Sequence, residues 1–327
     1  MRILSFAILC LVTVVAAYII RADARDSDLG GRPRSLPQIL SPHALDGATS
    51  LGGLTGGKTV PGTRVAQAAP PASTGNPSVA PLKWVGILIN PTPTKDNPYA
   101  YHYCTGQFIT PNVVLTAGHC IKDLTENPTG PWFDLTKQRF LLQYQNGQGS
   151  HVFNTVCALT NPLWTFPANY ASMTAAQKDD ALRVAAQHDF AMVLVDGNSP
   201  TGVMPYQLDW KGKWVAATRI GYAADILNGE IVQDSHGMVF FADAIPMFPG
   251  QSYPNLVVQW QPVINLTSGT SGGAWIVNFN ATEAANNNVL ISVTSFQNAN
   301  YPGAEFGAYL TAAEFNPLLA KVQNGCK

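Results

Sequence analysis

Charge is scarce in this chain of 327 residues: only 12% of its positions are Asp, Glu, Lys or Arg. The 19 basic and 20 acidic residues nearly cancel, for a formal net charge of −1. There is neither a basic footprint for nucleic acid nor an acidic tail, which excludes partners chosen by bulk charge. No internal repeat and no block of like charge is visible. The histidines and acids show no metal-ligand spacing, so no metal or organic cofactor is implied. Lack of hydrophobicity is not among the deficits. At 46% apolar, the chain is not a disordered protein and can bury the core of one large domain or two modest ones.

The first 24 residues have the layout of an export signal. Arg2 supplies the positive start, Ile3 to Ile20 is nearly all apolar, and Ala22-Asp23-Ala24 offers a small-x-small cleavage site. A mature start near Arg25 and a secreted or periplasmic location follow, with no stable membrane association once the signal is removed. The apolar run is also just long enough to span a bilayer, so an uncleaved anchor is the alternative. Of the five cysteines, Cys10 leaves with the signal. Cys104, Cys120, Cys157 and Cys326 form an even set suited to disulfides, with three possible connectivities.

Residues 25–80 are rich in Gly, Ala, Pro, Ser and Thr, as in Leu51-Gly52-Gly53-Leu54-Thr55-Gly56-Gly57. Such a stretch cannot bury enough apolar surface to offset its ordering entropy, and it reads as a linker or pro-segment. From residue 81 to 327 the texture is that of an all-β domain. Short β-rich runs between turn residues predict strands at Trp84 to Ile89, Gly106 to Ile109, Val113 to Leu115, Phe140 to Tyr144 and Phe190 to Val195. Five more are predicted at Val215 to Ile220, Gly237 to Phe241, Leu256 to Trp260, Ala274 to Val277 and Val289 to Val293. Thr174-Ala175-Ala176-Gln177 has the form of a capping box and opens a short inserted helix through Ala186. A C-terminal helix is predicted over Thr311 to Val322 from the spacing of Ala312, Phe315, Leu318, Leu319 and Val322. Pro317 lies inside it, which suggests a shorter helix starting near that residue.

Three short segments carry possible chemistry. They are Thr116-Ala117-Gly118-His119-Cys120, then His188-Asp189 ahead of the apolar run Phe190 to Val195, and lastly Gly269-Thr270-Ser271-Gly272-Gly273. Singly, each has a plain structural meaning: a core histidine, a strand-end acid, an ordinary turn. Together and in this order they resemble the chymotrypsin-like (trypsin-like) serine protease family. The resemblance implies two six-stranded antiparallel β-barrels, at about 81–200 and 201–327. It implies a triad of His119, Asp189 and Ser271, with the N–H groups of Gly269 and Ser271 as the oxyanion hole. It also pairs Cys104 with Cys120, which leaves Cys157 for Cys326. A secreted serine endopeptidase working through an acyl-enzyme on Ser271 is the implied function, with protein or peptide substrates and possible protease inhibitors as partners. A secreted binding or adhesion protein on an inactive protease fold is the alternative. His188 is expected to be an exposed or packing residue and not a second base.

The chain also departs from the trypsin pattern. Thr270 stands where zymogens of that type carry an aspartate that pairs with a new N-terminus, and no Ile-Val-Gly-Gly-like start is present. Arg64-Val65 is the one weak candidate for processing. In Thr270 and in Gly221-Tyr222 the chain resembles the glutamyl-endopeptidase branch of bacterial relatives. By spacing from Ser271, Asn265 is expected near the base of the primary specificity pocket, and Thr294-Ser295-Phe296 resembles the segment that lines it. No histidine of the kind associated with glutamate preference is present there, so an uncharged residue is expected before the cleaved bond. Asn265-Leu266-Thr267 and Asn280-Ala281-Thr282 fit the glycosylation pattern, which is common by chance.

Overall fold

The computed structural model describes residues 49–50, 73–91, 101–122, 133–145, 148–211, 214–223, 231–242, 248, 251–260, 269–282, 287–297 and 304–327. The export-signal segment therefore lies outside the described residues, as do Arg64-Val65 and Asn265. Among the described residues, no helix is long and apolar enough to cross a membrane.

Two two-residue strands, β1 (Thr49–Ser50) and β2 (Ser73–Thr74), precede the barrels. The first barrel is built from β3 (Val85–Pro91), β4 (Tyr101–Thr110), β5 (Val113–Thr116), β6 (Arg139–Leu142), β7 (His151–Thr160) and β8 (Ala191–Val195). Its strands pair in the order β4-β3-β6-β7-β8-β5 and close through β4 with β5. The second comprises β9 (Val215–Tyr222), β10 (Ile231–Phe241), β11 (Leu256–Trp260), β12 (Ala274–Val277), β13 (Val289–Gln297) and β14 (Ala304–Tyr309). It runs β11-β14-β13-β12-β9-β10 and closes through β10 with β11. All pairings within the two closed barrels are antiparallel. β1 lies parallel to β4, and β2 lies antiparallel to β10. Closure removes the sheet edges that would otherwise present unpaired backbone groups.

All ten predicted strands are present, most of them longer than the apolar runs that signalled them. β7 and β14 were not anticipated, and both break the sequence rules for a strand. In β7 the apolar side chains of Val152 and Val156 point outward, half exposed, which spoils the alternation. β14 reads AEFGAY and carries a buried glutamate. Glu305 is tolerated there because it forms an ion pair with Arg219 of β9, itself fully buried.

The inserted helix α1 (Ala175–Ala186) carries the predicted capping box: Thr174 Oγ1 accepts from the Gln177 N–H, and Gln177 Oε1 accepts from the Thr174 N–H. The terminal helix α2 (Ala312–Gln323) does not start near Pro317 but at Ala312, with Thr311 as its cap. Ala313 and Pro317 are both exposed, so the carbonyl that Pro317 cannot serve meets water, and the helix runs through the proline. Phe315, Leu318 and Val322 of α2 join Ile220, Tyr222, Met192 and Leu194 in the core shared by the two barrels. α1 and the aromatic residues before it, Trp164, Phe166 and Tyr170, pack instead with Phe296 and Phe306 of the second barrel.

Two disulfides join Cys104 to Cys120 and Cys157 to Cys326. The first closes a loop between residues 16 apart. In the chain-entropy account a loop of that size contributes about 3 kcal/mol. The second ties β7 to the residue after the turn that ends α2.

Candidate active site

His119 lies in a single helical turn, Gly118–Cys120, directly after β5. Several buried groups fix this turn. Cys120 is bonded to Cys104 of β4. The Cys120 carbonyl accepts from Asn90 Nδ2 at 3.1 Å, and Asn90 Oδ1 accepts from Gln138 Nε2 at 2.5 Å. With no side chain on Gly118, a carboxylate can come close underneath: Asp189 Oδ1 lies 2.9 Å from where a Cβ would stand.

Asp189 is fully buried in the four-residue passage between α1 and β8, and it accepts three hydrogen bonds. Oδ1 takes the His119 backbone N–H at 2.9 Å, and Oδ2 meets His119 Nδ1 at 2.7 Å. The Ser295 hydroxyl donates to the same Oδ2 at 2.5 Å. A carboxylate held on both oxygens by one histidine has a single orientation. It engages Nδ1, so the neutral ring carries its proton there and leaves Nε2 basic. Trp164 stands beside His119, with ring centroids 6.3 Å apart.

The loop Gly269–Gly273 is gripped mostly through its carbonyls. Thr105 Oγ1 donates to the Gly269 carbonyl at 2.9 Å, the Thr105 N–H to the Ser271 carbonyl at 2.8 Å, and Gln107 Nε2 to the Gly272 carbonyl at 3.1 Å. The Gly272 N–H donates to the Thr294 carbonyl at 2.8 Å. Gly269 and Gly272 sit at φ of 91° and 79°, a region that residues with side chains rarely enter. A Cβ on Gly272 would also fall 2.2 Å from Thr116 Oγ1. Because β4 of the first barrel holds a loop of the second, Ser271 is fixed at the seam of the two barrels. Its carbonyl lies 3.8 Å from Cys120 Sγ, next to the residue after His119. Among the described residues, no backbone carbonyl takes up the Gly269 or Ser271 N–H. Thr270 is buried, and its Cβ lies 2.9 Å from where a Cβ on Gly221 would stand, so the two departures from the trypsin pattern meet in one contact.

Thr294, Ser295 and Phe296 are all buried, but their side chains are occupied within the protein. Thr294 Oγ1 accepts from Trp275 Nε1 at 2.9 Å, and Phe296 stacks on Phe306 at 4.7 Å. Ser295 bonds to Asp189, a partnership the sequence did not reveal. Trp164 was also missed, since a tryptophan in an insertion carries no motif. His188 is not merely an exposed or packing residue. It is partly buried, and its Nδ1 lies 2.9 Å from Glu314 Oε2 of α2. Partial burial pushes the Glu314 carboxyl up, but the hydrogen bonds from His188 and Asn161 outweigh it and hold the group below the usual 4.5. Stability from the Glu314 carboxylate is thus present above the ordinary carboxylate range and lost as pH falls through the lower folded value. Ligand atoms of Cys104, His119 and Cys120 lie within 4.8 Å of one another, yet both sulfurs are in a disulfide and offer no thiolate to a metal.

Two closed six-stranded barrels, with a histidine–aspartate pair and a glycine-flanked serine loop at their seam, define the chymotrypsin-like double-barrel class. Residues 81–217 match the family model described as Trypsin. No curated protein sequence matches the chain. Solved structures match the fold. A thermostable serine protease, AL20, from an extremophilic microorganism is similar with a TM-score of 0.53 at 19% identity, over 74% of this chain and 98% of that one. Protease Anisep from Arthrobacter nicotinovorans gives 0.51 at 21% identity over 74% and 98%. A Glu endopeptidase gives 0.52 at 19% identity over 78% and 97%. The match to the Trypsin family model supports a peptidase function.

Proposed function

We propose that the chain is a secreted or periplasmic serine endopeptidase that cleaves protein or peptide substrates through an acyl-enzyme on Ser271. The observation that carries this reading is the double hold of Asp189 on His119, through the backbone N–H and Nδ1, beside a rigid serine loop. Asp189 keeps the proton on Nδ1, so Nε2 takes the hydroxyl proton as Ser271 Oγ attacks the substrate carbonyl. The N–H groups of Gly269 and Ser271 stabilise the oxyanion of the tetrahedral intermediate. The carbon–nitrogen bond then breaks, and the imidazolium returns its proton to the departing amine. Water, activated by the same imidazole, attacks the ester and frees Ser271.

Asn265, assigned to the base of the primary pocket by its spacing from Ser271, favours an uncharged residue before the scissile bond. Digestion of a peptide library tests both points. Cleavage concentrated after uncharged side chains is expected. Dominant cleavage after Arg, Lys or Glu would overturn the pocket assignment, and ester turnover without any peptide cleavage would overturn the endopeptidase.

A further inference from the structure

Three consecutive side chains leave the end of α1 toward three different parts of the molecule. Gln187 Oε1 accepts from the Asn255 N–H beside β11 at 2.9 Å, His188 meets Glu314 of α2 at 2.9 Å, and Asp189 meets His119. The Glu314 oxygen that meets His188 also accepts from Asn161 Nδ2 at 2.5 Å. Asn161 is fully buried, and its backbone N–H donates to the Phe190 carbonyl at 2.9 Å. The next helix residue, Phe315, stacks on Phe190 with ring centroids 6.1 Å apart and planes inclined by 29°. Adjacent residues of the terminal helix therefore hold both residues that flank Asp189. The Cys157–Cys326 bond secures the far end of that helix to β7, the strand that leads into Asn161.

We propose that Glu314 is a positioning residue for the acid of the triad, with α2 as its support. By fixing His188 and Asn161 together, Glu314 holds the passage through Asp189 so that Oδ2 meets His119 Nδ1. This rests on the serine-peptidase reading for its catalytic consequence. The physical reason is the shared acceptor: without the carboxylate, buried Asn161 Nδ2 loses its acceptor and His188 its anchor, and the passage shifts to compensate. Small misplacements of a reacting group are costly, up to about 100-fold in rate for roughly 1 Å. The titratable groups that meet here are Glu314 with His188 and His119 with Asp189.

The test uses the full-length processed protein, with active sites counted by stoichiometric fluorophosphonate labelling, and compares Glu314→Ala with Glu314→Gln. In Glu314→Ala, kcat per labelled site should fall roughly 10- to 100-fold, with KM within about twofold. The acid limb of kcat/KM should move to lower pH, because a poorly held Asp189 stabilises the imidazolium less. Glu314→Gln should recover most of the loss, since its amide oxygen can still accept from Asn161. If Glu314→Ala does not fold, His188→Ala removes the same contact from the other side, with the same expectations. Native kcat per site and a native acid limb, with only a lower Tm, would reduce α2 to a stabilising element and overturn the proposal. A second readout does not need turnover. The low-field NMR resonance of the proton between His119 and Asp189 should shift or broaden in Glu314→Ala, and an unchanged resonance overturns the proposal. If that resonance responds while the native protein neither labels nor cleaves, the positioning role stands and the peptidase reading fails.

Discussion

Replacing Ser271 by Ala is expected to lower kcat about a million-fold while leaving KM and Tm close to native. The fold should accept the change because none of the bonds that hold the loop uses the hydroxyl. Thr105 and Gln107 grip the carbonyls of Gly269, Ser271 and Gly272, and Thr294 takes the Gly272 N–H. What is lost is the attacking oxygen alone. A residual acceleration of about 1,000- to 10,000-fold over water should survive, supplied by oxyanion donors and substrate binding. Progress curves at high enzyme concentration, with the variant purified away from native enzyme, measure this directly. A loss of less than about 100-fold would mean that the chemistry does not pass through Ser271.

Substitution of Asp189 by Asn should cost about 10,000-fold in kcat for a different reason. The carboxylate accepts at every one of its described bonds: the His119 N–H at Oδ1, and His119 Nδ1 and the Ser295 hydroxyl at Oδ2. An amide cannot accept on both sides. If its oxygen keeps the His119 backbone N–H, its NH2 must face Nδ1, which is then compelled to accept. The ring proton moves to Nε2, where the base for Ser271 is needed. If the amide turns over, NH2 confronts the His119 N–H and the turn is displaced. Either way the loss falls on kcat and should ease as pH rises, when other bases take over. Equal activity of Asn and Asp forms at neutral pH would show that Asp189 does not orient His119.

The parts of the site that were legible in the sequence are those where chemistry restricts residue identity over a few positions. A histidine next to a disulfide cysteine, and a serine among glycines at positive φ, each require particular residues at fixed spacing. The supports were hidden because their partners are remote in the chain. Ser295 reaches Asp189 across 106 positions, and Glu314 reaches His188 across 126. No local pattern marks such a serine or glutamate, and a histidine beside the acid reads as an ordinary surface residue. The fold followed the same division. Short β-rich runs between turn residues revealed ten strands, whereas β7 exposes valines and β14 depends on the Arg219–Glu305 pair, a compensation that only the closed barrel brings together.

Whether Ser271 is an activated nucleophile is decided by mass spectrometry of the folded, processed protein after reaction with a fluorophosphonate. One covalent adduct per chain is expected, mapped to Ser271 and slowed as His119 becomes protonated at low pH. A folded protein that takes no adduct, or takes it on another residue, would show that Ser271 is not activated.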